Sequence, residues 1–123
     1  FKQKTAYEIY VGKNNYQNEE LTFRFATGND WWFHTKGIPG SHVVVKANGE
    51  ELPDRVFEEA GRLAAHYSQA RGQEKVELDY TQKKNVKKPN GSKPGFVVYY
   101  TNYSLVIDSD ISGITLVEDD KVK

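Results

Sequence analysis

Residues 30–46 read DWWFHTKGIPGSHVVVK, and this stretch decides how the rest of the chain is arranged. Asp30 to Lys36 is short and aromatic and is bounded by Gly28-Asn29 and by Gly37, the pattern of a strand. Gly37-Ile38-Pro39-Gly40 is a tight turn, and Ser41 to Lys46 reads as a second strand. The two suggest a hairpin-like pair. Successive side chains of a strand point to opposite faces, so Trp31 and Phe33 share one side and Trp32 takes the other. One side enters a core. The other is expected to leave a large aromatic exposed beside His34 or Lys36.

Outward from this pair, Ala6 to Val11 is a short β-type run that ends at Gly12, and Gly12-Lys13-Asn14-Asn15 is turn material. Asn18 is read as the cap of a helix running through Ala26, with Glu19 and Glu20 in its first turn and Leu21 and Phe25 on one face. The rival is a strand in which Leu21, Phe23 and Phe25 alternate. The helix, ending near Gly28, is the preferred reading. Asn48-Gly49 marks a turn, and Pro53 to Ala70 is the clearest helix, extending to about Arg71. There Val56, Phe57, Ala60, Leu63, Ala64 and Tyr67 recur at helical spacing, and Gly72 stops it. Val76 to Tyr80, Phe96 to Tyr100, Leu105 to Ile107 and Ile114 to Val117 read as strands. The class is α+β: a mainly antiparallel sheet of about six strands, one long helix (about 53–71) and one shorter helix (about 18–26).

Length and composition narrow the function. At 123 residues the chain fits one domain of ordinary soluble composition. It opens on Phe1 rather than Met and ends just after Glu118-Asp119-Asp120, so residues 1–123 read as a single domain excised from a longer protein. No run of about 18 apolar residues stands out as a membrane span, and no signal-peptide pattern opens the chain. No membrane partner and a cytoplasmic location are expected. The absence of cysteine removes disulfides and thiolate metal sites.

The charge is uneven. Lysine and arginine number 17, as do aspartate and glutamate. Thr81 to Gly95, TQKKNVKKPNGSKPG, holds five lysines (Lys83, Lys84, Lys87, Lys88, Lys93) and no acid. The rest of the chain keeps 12 basic against 17 acidic residues, a net −5. Such a segment offers a site for an anion, and a phosphate backbone is the commonest macromolecular one. Pro89, Asn90-Gly91, Pro94 and Gly95 make it turn-rich, with Val76 to Tyr80 and Phe96 to Tyr100 anchoring its ends. Lysine rather than arginine favours backbone contact over base readout. A solvated, mobile loop that binds nothing is the alternative. An exposed Trp31 or Trp32 near these cations would supply a base-stacking platform, whereas a Trp covered on both faces would not.

Other chemistry has less support. His34 and His42 face each other across the turn, but no third metal ligand adjoins them in sequence, and Asp30 and Asp79 are remote candidates. Ser41 and His42 are adjacent and so point to opposite faces, a poor nucleophile–base pair. His66 on the long helix reads as solvated or packed. The phosphate-loop and dinucleotide patterns GxxxxGK[ST] and GxGxxG are absent. No catalytic residue, metal site or cofactor is assigned.

Four blocks in order, Val11-Gly12-Lys13-Asn14-Asn15, Asn29 to Lys36, Ile38 to Val44, and Thr81 to Gly95, resemble the NFACT-R domain of the RqcH, NEMF and fibronectin-binding protein A-like family. The likeness covers roughly residues 7 to 118, and its tryptophan doublet and lysine-rich loop resemble the bacterial form. It implies a module of ribosome-associated quality control factors, which bind stalled large ribosomal subunits, recruit tRNA and support C-terminal alanine tailing. By position the family's motif residues fall on Lys13, Asn14, Asn15, Asp30, Trp32, His34, Pro39, Gly40, Ser41, His42, Lys87, Lys88, Pro89, Gly91, Lys93, Pro94 and Gly95, the glycines and prolines serving backbone geometry.

The leading expectation is therefore a non-enzymatic RNA-binding module, monomeric when isolated, with tRNA or large-subunit rRNA and the large ribosomal subunit as partners. Its RNA-binding residues are Lys13, Asn14, Asn15, Trp31, Trp32, His34, Lys36, Ser41, His42, Lys83, Lys84, Lys87, Lys88 and Lys93. The second is a protein-interaction module, served by acidic Asp54, Glu58 and Glu59, that docks on ribosomal proteins or on its own chain. A fibronectin-binding adhesin is the weakest.

Overall fold

The computed structural model of the protein describes residues 2–4 and 8–118, with side chains from 8 to 115. Its architecture is α+β. One antiparallel sheet contains β1 (Lys2–Lys4), β2 (Ile9–Val11), β3 (Trp31–Thr35), β4 (Val43–Val45), β5 (Val76–Gln82), β6 (Tyr103–Ile107) and β7 (Leu116–Glu118). The order across it is β6-β5-β3-β4-β2-β1-β7, seven strands where about six were expected. The expected hairpin is present, with Trp31 opposite Val45, Trp32 opposite Val44 and Phe33 opposite Val43. Aromatic rings thus meet β-branched partners across the strands, a favourable pairing on a pleated surface.

The long helix α2 (Asp54–His66) lies on one face of the sheet. Val56, Ala60, Leu63 and Ala64 are fully buried against Ile9, Val11, Phe33, Val43, Val45 and Leu78. The helix ends at His66 rather than near Arg71 because the Pro39-Gly40 turn captures residues 67–69. Ser41 N–H donates to the Tyr67 carbonyl at 2.8 Å, Gln69 N–H donates to the Pro39 carbonyl at 3.2 Å, and Gly40 bridges Ser68. A side chain at Gly40 would collide here, since its Cβ would stand 2.8 Å from Ser68 Cβ and 2.9 Å from Thr35 Oγ1.

The short helix covers the opposite face. Its cap is Asn14, four residues before the expected one. The side chain of Asn14 accepts the Gln17 N–H at 2.9 Å, and Gln17 Oε1 in turn accepts the Lys13 N–H at 2.9 Å, a reciprocal arrangement close to a capping box. α1 (Asn15–Glu20) runs into a π-helical turn, Leu21–Phe25, closed by Ala26 N–H on the Leu21 carbonyl. Asn18 is buried mid-helix instead of capping. Leu21, Ala26, Val86, Val97 and Tyr99 close over Tyr10, Trp32 and Val44. The central strands are therefore buried on both sides, which is why β4 is an unbroken run of valines rather than an alternating pattern.

One expected strand is not a strand of the sheet. Phe96 to Tyr100 alternates as a strand should, with Val97 and Tyr99 packed inward and Phe96 and Tyr100 exposed. Its backbone makes a single β-bridge, Val98 with Lys87, inside the lysine-rich segment itself. The apolar residues serve the layer above the sheet. The sheet's place beside β5 belongs to β6, paired from Val76–Ile107 to Tyr80–Tyr103.

Candidate nucleic-acid interface

The lysine-rich segment is a folded hairpin. A 3₁₀ turn at Lys83–Asn85 continues β5, held by Lys83 N–H on the Asp30 carbonyl (2.8 Å) and Lys84 N–H on the Gly28 carbonyl (3.1 Å). Val86 drops into the core. Lys87 and Val98 exchange backbone hydrogen bonds of 2.8 and 2.9 Å. Between them stand two tight turns, Pro89–Ser92 and Lys93–Phe96, closed at 3.2 and 3.1 Å. Gly91 (φ +73°) and Gly95 (φ +83°) occupy the third position of each, where a type II turn needs positive φ.

Lys88 ties this hairpin down. Its ammonium pairs with Glu19 at 3.0 Å and donates to the carbonyls of Lys93 and of Phe96, the latter at 3.3 Å. Glu19 also accepts the Gly95 N–H at 2.8 Å. Partial desolvation raises the Glu19 carboxyl's pKa, but the Gly95 N–H and the Lys88 ammonium outweigh it and hold the group below its usual range. Lys83, Lys84, Lys87 and Lys93 make no ion pair among the described residues. Lys87 donates to the Lys84 carbonyl at 3.0 Å, and Lys83 lies 5.7 Å over the Phe23 ring. Lys84, Lys87 and Lys93 are exposed.

Beneath the hairpin is a polar layer built by strand register. The β3–β4 pairing, continued one residue, sets His34 opposite His42, and β5 sets Asp79 opposite His34. The two imidazoles are 5.5 Å apart and nearly perpendicular. His34 lies flat against Trp32 at 5.7 Å. His42 Nδ1 shares a 2.7 Å hydrogen bond with Thr22 Oγ1, and its backbone N–H donates to Asn18 Oδ1 at 3.1 Å. Burial, with the neighbouring His34 and Lys88, pushes the His42 pKa down to about 3 despite a hydrogen bond to the Gly95 backbone. Burial also lowers His34, against the opposing influence of the Thr35 and Gly40 backbone and of Asp79. Asp79 accepts from Tyr99 Oη at 2.7 Å and Ser104 Oγ at 3.1 Å. Burial first, then that carboxylate, raises the Tyr99 phenol. These groups are neutral or mutually satisfied and serve as packing under the hairpin.

At the other end of α1 lies an open cleft of about 420 Å³. Lys13, Asn14, Asn15 and Ser41 line one side, and His66, Ser68, Gln69 and Arg71 the other. Arg71 is held in place by Nε donating to the His66 carbonyl at 2.8 Å, with its guanidinium 5.5 Å over Tyr67. Cleft and hairpin meet at Asn15, whose carbonyl would lie 3.1 Å from a Cβ at Gly95.

The expected site residues thus divide. Lys13, Asn14, Asn15 and Ser41 share the cleft, and the five lysines share the hairpin. Trp32 is fully buried and His42 nearly so, which leaves no Trp32 face for a base. Trp31 packs toward α2 on the opposite side of the sheet, and Lys36 is exposed past the end of β3. The exposed aromatics on this side are instead Tyr16 (76%), in a groove where Arg24 and Lys88 are paired with Glu20 and Glu19, and Phe96 (54%) and Tyr100 (88%) on the hairpin's return leg. Sequence reading misses these and Arg71. Tyr16 lies off the apolar face of α1, and Arg71 reads only as the end of a helix. Asp30 is structural: it accepts the N–H groups of Thr27 (2.8 Å) and Ala47 (2.9 Å) and pairs with Lys46 at 2.6 Å. No three His, Cys, Asp or Glu among the described residues are placed to hold a metal ion.

Comparison with known proteins identifies the family. A family model described as the NFACT protein RNA binding domain matches residues 1–102. The Rqc2 homolog RqcH of Bacillus subtilis is 48% identical over 102 residues, covering 83% of this chain and 18% of that protein. Its Streptococcus suis counterpart is 50% identical over 91 residues, 74% of this chain and 16% of that protein. The solved C-terminal part of the fibronectin/fibrinogen-binding protein from Streptococcus suis superposes with a TM-score of 0.81 at 44% identity, over 86% of this chain and 43% of that one. The chain spans less than a fifth of the length of these curated relatives. Matched over most of its residues by that model and its relatives, the chain belongs to the NFACT protein RNA binding domain family.

Proposed function

We propose that this domain grips the phosphate backbone of a structured RNA along one continuous surface, from the Lys13–Arg71 cleft across the start of α1 to the lysine hairpin. The observation that carries this reading is the hairpin's rigidity: exposed Lys84, Lys87 and Lys93 stand on a backbone pinned by Lys88, Glu19 and two glycine turns. Ammonium groups fixed in this way lose less conformational entropy on binding than those of a mobile loop. Tyr16, Phe96 and Tyr100 offer ring faces to unpaired bases. The domain's role is binding, without a chemical step.

Membership of the family and identity to the RqcH proteins support a wider reading. The domain serves a cytoplasmic ribosome-associated quality control factor, contacts tRNA or large-subunit rRNA on stalled large subunits, and supports C-terminal alanine tailing. The test is fluorescence anisotropy with labelled tRNA over a range of salt. The variant K84A/K87A/K93A should bind more weakly, its log–log salt slope falling by about 0.7–0.9 for each phosphate it no longer neutralises. Unchanged affinity and slope would remove the hairpin from the interface.

A further inference from the structure

On the α2 side of the sheet, the face opposite Trp32 and the histidine pair, four rings converge. Trp31 lies 5.1 Å from Phe57, 5.9 Å from Tyr80 and 6.2 Å from Tyr103, and Tyr80 stacks on Tyr103 at 5.4 Å. Register makes this cluster: Tyr80 is opposite both Phe33 and Tyr103, and Trp31 is two residues before Phe33 on the same face. The rings border a cavity of about 360 Å³ whose remaining lining is Asp54 and Glu58. A second cavity of about 480 Å³ shares Trp31, Asp54 and Phe57 and adds Glu50 and Glu51. No lysine, arginine or histidine lines either one, and Arg55, though next to Asp54, lines neither. Asp54, Glu58, Glu50 and Glu51 are exposed, and Tyr103 is 60% exposed.

Aromatic faces present the negative side of their quadrupole and attract a cation, most strongly when a carboxylate stands beside them. The positive end of α2, worth about half a charge, opposes this, but the four carboxylates outweigh it. We propose that this acidic aromatic cleft docks a basic segment of a partner protein, with arginine or lysine side chains in the two adjoining cavities. Paired cavities of one polarity suit neighbouring basic side chains on a polypeptide, whereas a small ammonium ion would fill only one. The setting suits an extended segment as well: β6, which carries Tyr103, is the last strand in the sheet order, so its outer edge faces no other described strand. Over its 13 residues α2 then separates a cation-binding end from the Arg71 cleft by about 20 Å. A partner protein bound there would leave the Lys13–Arg71 cleft open to RNA.

The proposal stands apart from the RNA reading and is tested separately. The ¹⁵N-labelled domain is titrated with acetyl-(Arg-Gly)₃-amide and, as a control, acetyl-(Glu-Gly)₃-amide. A saturable shift of the Trp31 indole, with the Trp32 indole unmoved, is expected for the arginine peptide only. D54N/E58Q, which changes surface charge alone, should weaken it about fivefold or more. Tyr103→Ala should weaken it also, while E74Q/E77Q, at exposed acids outside the cleft, should leave it within about twofold. K84A/K87A/K93A should leave it intact whatever that variant does to RNA. An unmoved Trp31 signal at millimolar peptide, or equal loss in E74Q/E77Q, would overturn the proposal.

Discussion

Lys88 and Glu19, 69 positions apart in sequence, form an ion pair at 3.0 Å that closes the lysine hairpin onto α1. The most central lysine of the basic run is thereby spent inside the fold. Glu19→Ala adds net positive charge to the domain, so a purely electrostatic view expects tighter RNA binding. The opposite is expected here. Loss of the half-buried pair and of the acceptor for Gly95 N–H costs about 1–2 kcal/mol. The hairpin amides should exchange faster by hydrogen-exchange NMR, and RNA affinity should fall. Tighter binding by Glu19→Ala would sink the idea that the hairpin must be rigid.

Acid should loosen the same layer. His42 takes up a proton near pH 3 in the folded chain but near 6.5 when unfolded. Between these values the unfolded chain binds more protons, so stability declines as pH falls below about 6.5. Glu19 acts in the same direction lower down: its depressed pKa gives a contribution complete above its ordinary value of 4.5 and lost as pH falls through the lowered one. Urea melts between pH 4 and 7 should show this decline, with a flatter profile in His42→Gln. Identical profiles for the two proteins would show that His42 is not the group responsible.

Aromatic substitutions should separate into two classes. Trp32→Ala empties a fully buried site and should cost roughly 3–5 kcal/mol, read as a large drop in denaturation midpoint. Tyr16→Ala and Tyr100→Ala alter exposed rings and should stay within about 0.5 kcal/mol of the parent in stability. Where a base stacks on them they should lose about 1–3 kcal/mol of RNA affinity. Full RNA affinity in the double Tyr variant would remove these two rings from the binding.

These outcomes turn on features of uneven visibility in the sequence. The β3–β4 pair is legible because Gly37-Ile38-Pro39-Gly40 fixes a turn between two β-prone runs, and α2 is legible from its apolar period. The fate of Trp32 is not, because its cover comes from Val86, within a lysine run that reads as solvent-facing, and from Val97 and Tyr99 just after it. Phe96 to Tyr100 shows how alternation reveals an extended backbone without naming its partner. Asn18 reads as a helix cap as readily as Asn14 does, because asparagine suits that role at either position. Only the tertiary bond to His42 N–H tells them apart. Arg71 joins Lys13 through the Gly40–Ser68 bridge, a contact between segments that no local pattern encodes.

Gly12 supplies the most stringent check on the join between cleft and hairpin. It is buried, and its N–H donates to the His42 carbonyl at 3.0 Å. A Cβ at this position would stand 2.1 Å from Asn18 Oδ1, the atom that accepts the His42 N–H. Asn18 is itself enclosed within α1, so the clash cannot be relieved by swinging a surface side chain away. Gly12→Ala should therefore push α1 off β4 and cost on the order of 2–4 kcal/mol, through both the overlap and the unpaired His42 N–H. The cleft loses its Lys13 wall in the same movement. RNA affinity should drop together with thermal stability, whereas Lys13→Ala should lower affinity and salt slope alone. A Gly12→Ala protein of parental stability would mean that α1 rests on the sheet less closely than the Asn18–His42 bond requires.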